Sequence, residues 1–117
     1  MNQHTFDTLL DRQFQRCEHL LNLKAEEYAT LDRLHNFKVA AELQGITPQA
    51  ALAGMMAKHS VSIYDMCSSS KQHTFAVWNK KITDHINYLI LLQALLVDTQ
   101  AFPPQIDVDG TELIENA

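Results

Sequence analysis

The chain of 117 residues carries only 3 Gly and 3 Pro. A sandwich or barrel of short strands needs many tight turns, and turns draw on those two residues, so a loop-rich all-β fold is excluded. Two cysteines, Cys17 and Cys67, have no CxxC spacing and read most simply as free, partly buried thiols of a cytoplasmic chain. Positive charge is also scarce. Lys and Arg number 9 against 14 Asp and Glu, for a formal net charge of −5. Such a balance leaves no footprint for duplex nucleic acid and no basic patch for an acidic membrane surface. The longest near-apolar run, Ile86 to Val97, is broken by Gln93 and falls short of the roughly 20 residues of a membrane-spanning helix. The opening residues MNQHTFDTLLDR lack the basic and apolar regions of a signal peptide. There is no Gly-rich phosphate loop, no GxSxG and no HExxH, and the 6 histidines (His4, His19, His35, His59, His73 and His85) show no zinc spacing. Nucleophilic catalysis has no support.

What is present is helical periodicity. At 46% hydrophobic and 20% charged, the chain suits one globular domain. Phe6, Leu9, Leu10, Phe14, Cys17, Leu20, Leu21 and Leu23 recur at helical spacing and predict a first helix from about Thr5 to Tyr28, with a bend or break near Ala29-Thr30 and Thr30 as a candidate cap. A second helix is predicted from Leu31 to Gln44, stopped by Gly45. Thr47 as N-cap and Pro48 as first helical residue open a third, which runs to about Cys67. A fourth runs from about Thr74 to Asp98, its apolar second half predicting burial on every side. The expected architecture is all-α: an antiparallel four-helix bundle over residues 1–98, with an irregular acidic tail over 99–117 that carries a possible Asp109-Gly110 turn. The apolar surplus of Ile86 to Val97 points to a homodimer.

Each helix also carries a polar cluster at helical spacing: Lys24, Glu27 and Tyr28; Asp32, His35 and Asn36; Lys58, His59, Ser62 and Asp65; Asp84, Asn87 and Tyr88. Any one of them taken alone is more often a solvated face or a structural pair than a site. Asn36 and Asn87 weigh the other way, because each falls inside a helix, where Asn is a poor former, and each adjoins an aromatic. Four clusters on four helices are able to converge in one bundle pocket. Glu27, Asp32 and Asp84 are oxygen ligands suited to Mg2+. Asn36 and Asn87 offer amide contacts, and Lys24, Lys58 and His59 offer charge for phosphate. Met55, Met56 and Met66 read as core filler, and Trp78 as an anchor of the fourth helix.

The strings KAEEYATLDRLHNFKVAAELQGITPQAALAGMMAKHSVSIYDM and WNKKITDHINYLILLQALL resemble a group of small phage and prophage proteins over most of Asp11 to Asp98. That group is similar to the nucleotide-modification-associated domains of phages and, more distantly, to the MazG-type all-α nucleoside-triphosphate pyrophosphatases. The distant likeness implies Mg2+ held around a triphosphate by an ExxE pair and an ExxD pair. Asp84 matches the Asp of ExxD, whereas the Glu of that motif falls on Lys81, and none of the four helical segments carries ExxE. The resemblance implies a nucleotide-metabolism protein in the host cytoplasm. In that reading Glu27, Asp32 and Asp84 hold the metal and orient water, and Lys24, Tyr28, Asn36, Lys58, His59 and Asn87 bind the nucleotide. The alternative is a small helical adaptor or inhibitor that binds a host or phage protein, with the polar clusters structural.

Overall fold

A computed structural model describes residues 1–27, 32–100, 108 and 110. Four helices account for nearly all of them: α1 Gln3–Glu27, α2 His35–Gln44, α3 Pro48–Ser68 and α4 Phe75–Gln100. No strand occurs among the described residues, so the all-α expectation holds.

Most helix ends follow from local chemistry. The Thr47 Oγ1 accepts the Ala50 amide at 3.2 Å, with Pro48 entering the helix behind it. This satisfies one of the free donors of a helix start and removes another. The Asn2 Oδ1 caps α1 through the Thr5 amide at 2.8 Å, and the Thr74 Oγ1 caps α4 through the Val77 amide at 3.3 Å. Gly45 ends α2 with φ 65° and ψ 35°, and the next amide, on Ile46, returns to the Ala41 carbonyl at 3.0 Å. That left-handed turn costs an L side chain energy and costs Gly little. The start of α2 differs from expectation. Leu31 and the candidate cap Thr30 lie outside the described residues, and the helix begins at His35, after a turn through Asp32, Arg33 and Leu34.

The core is small. Leu34 and Phe37 of the second segment, Leu52 of α3 and Leu95 of α4 form one buried cluster, with Met55, Tyr88, Leu91 and Leu92 packed around it. Leu52 and Leu95 are fully buried. His59 lies against Tyr88, whereas Leu52, two turns earlier in α3, joins the cluster of Leu95, two turns later in α4. α3 and α4 therefore run in opposite directions. Backbone packing joins α2 to α3, α3 to α4 and α4 to α1, and among the described residues α1 and α2 do not meet at all. The result is an open row of helices. Its radius of gyration is 16.9 Å, against about 13 Å for a compact chain of this length.

The openness shows in the side chains. Of the apolar stripe on α1 only Cys17 is buried, while Phe6, Leu9, Leu10, Phe14 and Leu23 are exposed. The expectation that α4 is buried on every side from Ile86 to Val97 fails as well. Leu89 and Ile90 are exposed, since among the described residues the backbone packing on this helix comes from α3 and α1 alone. Among the described residues no helix is long and apolar enough to cross a membrane. Cys17 is buried, Cys67 is exposed and both are free thiols.

Two glycine substitutions separate backbone conformation from packing. A Cβ at Gly45 or at Gly54 meets nothing within 4 Å, but only Gly45 has positive φ. Gly45→Ala is expected to cost about 1 kcal/mol, and Gly54→Ala, inside α3, to gain roughly 0.4–1 kcal/mol. Denaturant unfolding of the two variants checks the opposite signs.

Candidate functional site

The first half of α4 turns polar groups inward. Thr83 is 1% exposed, and its Oγ1 accepts a hydrogen bond from the Gln13 Nε2 of α1 at 2.9 Å. This bond ties α1 to α4 beside the buried Cys17, and the Arg16 Nη2 steadies the Gln13 amide from its other side at 3.2 Å. One turn beyond Thr83 stands Asn87, 7% exposed, whose Oδ1 meets no hydrogen-bond donor among the described residues. A buried amide oxygen in that condition costs about 1–3 kcal/mol and calls for a reason. Asp84 is half-buried and makes no hydrogen bond or ion pair among the described residues. It shares a helix face with Asn87 and Tyr88, three and four residues on.

Tyr88 links this face to a cleft. Its ring lies 4.9 Å from that of His59 on α3, tilted by 46°. The Nδ1 of His59 is buried and lacks a partner among the described residues. On its other side Tyr88 lines a cleft of about 480 Å³ together with His35, Asn36 and Met55. That volume lies within the ordinary range for a small-molecule site. The cleft is bounded by α2, α3 and α4, so a molecule held there touches three helices.

The expected site residues are thus divided. Asn36 and Tyr88 share the cleft, His59 adjoins it through Tyr88, and Asp84 and Asn87 flank Tyr88 on α4. Asn36 itself is exposed at the rim of the cleft rather than inside the helical core. Lys58 and Lys24 are exposed on α3 and α1 and do not line the cleft. The Glu27 side chain and all of Tyr28 lie outside the described residues, as do 101–107, 109 and 111–117 of the tail. Among the described residues no three His, Cys, Asp or Glu side chains gather as a metal-binding group.

Asp32, expected as a metal ligand, is engaged elsewhere. Its Oδ1 accepts the Leu34 amide at 3.0 Å, which shapes the turn into α2, and its Oδ2 takes the Lys38 ammonium at 2.7 Å. The same Lys38 reaches the Asp98 Oδ2 of α4 at 2.7 Å. One cation thus clips α2 to the end of α4. Sequence gave little sign of it, because Asp98 lies sixty positions from Lys38 and no local spacing joins them. Gln13 did leave a trace, as the polar residue inside the apolar stripe of α1.

The clip fixes two titrations. The Lys38 hydrogen bond, followed by the Leu34 amide, holds the Asp32 carboxyl below its ordinary value. The Asp32 and Asp98 carboxylates hold the Lys38 ammonium above its own. The Asp32 contribution to stability is complete above the ordinary carboxylate value and is lost as pH falls through the lowered folded value. The Lys38 contribution is complete below the ordinary ammonium value and is lost as pH rises through the raised folded value. The three side chains are 35%, 44% and 50% exposed, so solvent and salt screen the effect. Lys38→Met is expected to flatten both the acid and the alkaline limb of the stability profile. Denaturant midpoints across the pH range check this, and limbs as steep as those of the wild type contradict it.

The chain matches no protein-family model, no curated protein and no solved structure.

Proposed function

We propose that the protein binds a nucleotide in the cytoplasm, between the α4 face of Asp84, Asn87 and Tyr88 and the cleft edged by Asn36, and that it acts in nucleotide metabolism as a Mg2+-dependent nucleoside-triphosphate pyrophosphatase. The observation that carries the reading is the Asn87 amide, buried to 7% exposure with its Oδ1 unmet. An amide oxygen accepts from the N–H or amino edge of a base, and such a contact offsets the cost of its burial. The tilted rings of Tyr88, next to Asn87 in α4, and His59 supply aromatic faces on which a base can lie. Asn36 adds donors and an acceptor at the rim. Lys58 and Lys24 lie outside the cleft, where exposed ammonium groups screen phosphate charge only as a ligand extends toward them.

Asp84 is the carboxylate that fits a metal, being half-buried and uncommitted to any partner among the described residues. Asp32 is held by Lys38 and serves only after that ion pair opens. Bound Mg2+ would supply charge neutralisation at the phosphates. Asp84 would orient an attacking water, which adds to the α-phosphorus as the bond to the bridging oxygen breaks, giving a monophosphate and pyrophosphate. The alternative of a non-enzymatic adaptor draws on the exposed apolar side chains of α1, α3 and α4, with Tyr64 73% and Val61 59% exposed. It needs no ligand at Asn87.

Two substitutions separate these readings. Asn87→Leu removes an unmet buried amide at nearly constant shape, so in the nucleotide reading the fold is as stable as the wild type or more so. Asp84→Asn also leaves the fold intact. The wild type is expected to gain several degrees in Tm with a nucleoside triphosphate and Mg2+, and each variant to lose that gain. Scanning calorimetry with the common ribo- and deoxyribonucleoside triphosphates checks this. A wild type indifferent to all of them, with Asn87→Leu less stable by about 1–3 kcal/mol, makes Asn87 a structural anchor and ends the reading.

A further inference from the structure

The outward face of α4 is apolar and periodic. Ile82, Ile86, Leu89, Gln93 and Leu96 follow one another at spacings of four, three, four and three residues. At 3.6 residues per turn these positions form one narrow stripe, the seam of a coiled coil. The centre of the stripe lies opposite the buried Thr83, Asn87 and Leu95, with Ile86 and Leu96 half-buried at its edges. Ile82 is 38% and Leu89 47% exposed, and Phe75, one heptad before Ile82, is 69% exposed. No charged residue interrupts the stripe from Phe75 to Leu96.

α1 extends the same surface. Leu9 lines a cleft with Phe75, so the apolar residues at the start of α1 adjoin the start of the seam. Phe6 is 48% and Leu9 42% exposed. With roughly half of each of these five side chains open, at about 200 Å² apiece, the apolar area comes to ~500 Å² per copy. A standard specific interface buries about 800 Å² per partner, of which a little over half is apolar. That area stands at the upper end of the largest apolar patch of an ordinary monomer, a patch that is often functional.

We propose that a second copy of this chain docks on this face, α4 against α4, with the exposed start of α1 flanking the seam. Three observations favour a second copy over an unrelated partner. A heptad stripe is complementary to another heptad stripe, and a two-fold axis sets each stripe against its own copy. The uncharged seam lets two chains of net charge −5 meet without opposing like charges along it. The area matches what a stable dimer needs. Gln93, the one polar residue between Ile82 and Leu96, stands where a single seam amide selects register at some cost in stability.

Sedimentation velocity on the full chain at about 50 µM, a concentration that populates micromolar complexes, tests the proposal. The wild type is expected to sediment as a dimer and Leu89→Arg as a monomer of unchanged helical content. Val61→Arg, on an exposed position of α3 away from the seam, is expected to remain dimeric. Gln93→Leu should lower the dissociation constant at least tenfold, and this readout stands even where Leu89→Arg fails to fold. A monomeric wild type overturns the proposal and leaves the face to some other protein. A dimer that survives Leu89→Arg, or that Val61→Arg abolishes, overturns it by placing the interface elsewhere.

Discussion

The packing of α3 on α4 through Leu52 and Leu95 is the interaction on which the rest of the molecule depends. Both side chains are fully buried, and the cluster around them is the main apolar core. α2 reaches α4 by packing on α3 and by the Lys38 clip, and among the described residues α1 packs on α4 alone. Large aliphatic groups closed off from water stabilise by roughly 1.5–3 kcal/mol each, whereas the half-exposed clip adds the modest increment of a surface ion pair. The order of importance is therefore the α3–α4 pair, then α2, then α1.

From this arrangement comes an inversion on α4. Where the helix faces its neighbours it presents Thr83, Asp84, Asn87 and Tyr88 before the apolar Leu91 and Leu95 begin. Where it faces away it presents Ile82 and Leu89. A helix serving only as a structural element gains from the opposite placement, apolar inside and polar outside. Thr83 is explained by its bond to Gln13. Among the described residues nothing meets the Asn87 Oδ1, and nothing covers the exposed Ile82 and Leu89. The inward polar groups accordingly point to a ligand, and the outward apolar ones to a second copy.

Much of the fold was legible because it is local. Thr47-Pro48 and Gly45 mark their helix ends through contacts within five residues, and the structure places them as their chemistry requires. The polarity of Asn87 within an apolar helix was likewise a readable signal for an unusual buried group. Asn36 carried the same signal and proved exposed, since propensity alone does not say which way a residue faces. Burial of α4 on all sides was misread for a related reason. An all-round apolar helix tells how much surface seeks cover, not whether its own chain supplies it. Asp32 looked like a free ligand because its partner is settled by the fold: Lys38 comes back to it across the turn, and the same ammonium is held by Asp98 at the far end of α4.

The side-chain amide of Asn87 offers the most direct view of the central claim, that the inward polar face of α4 meets a ligand. Its two amide protons are observable in the nitrogen-correlated spectrum of a labelled sample, with Asn36 at the rim and the distant, exposed Asn2 as internal references. Titration with a nucleoside triphosphate and Mg2+ is expected to move the Asn87 resonances most, the Asn36 resonances less and the Asn2 resonances not at all. An Asn87 amide unmoved at saturating nucleotide would contradict the account.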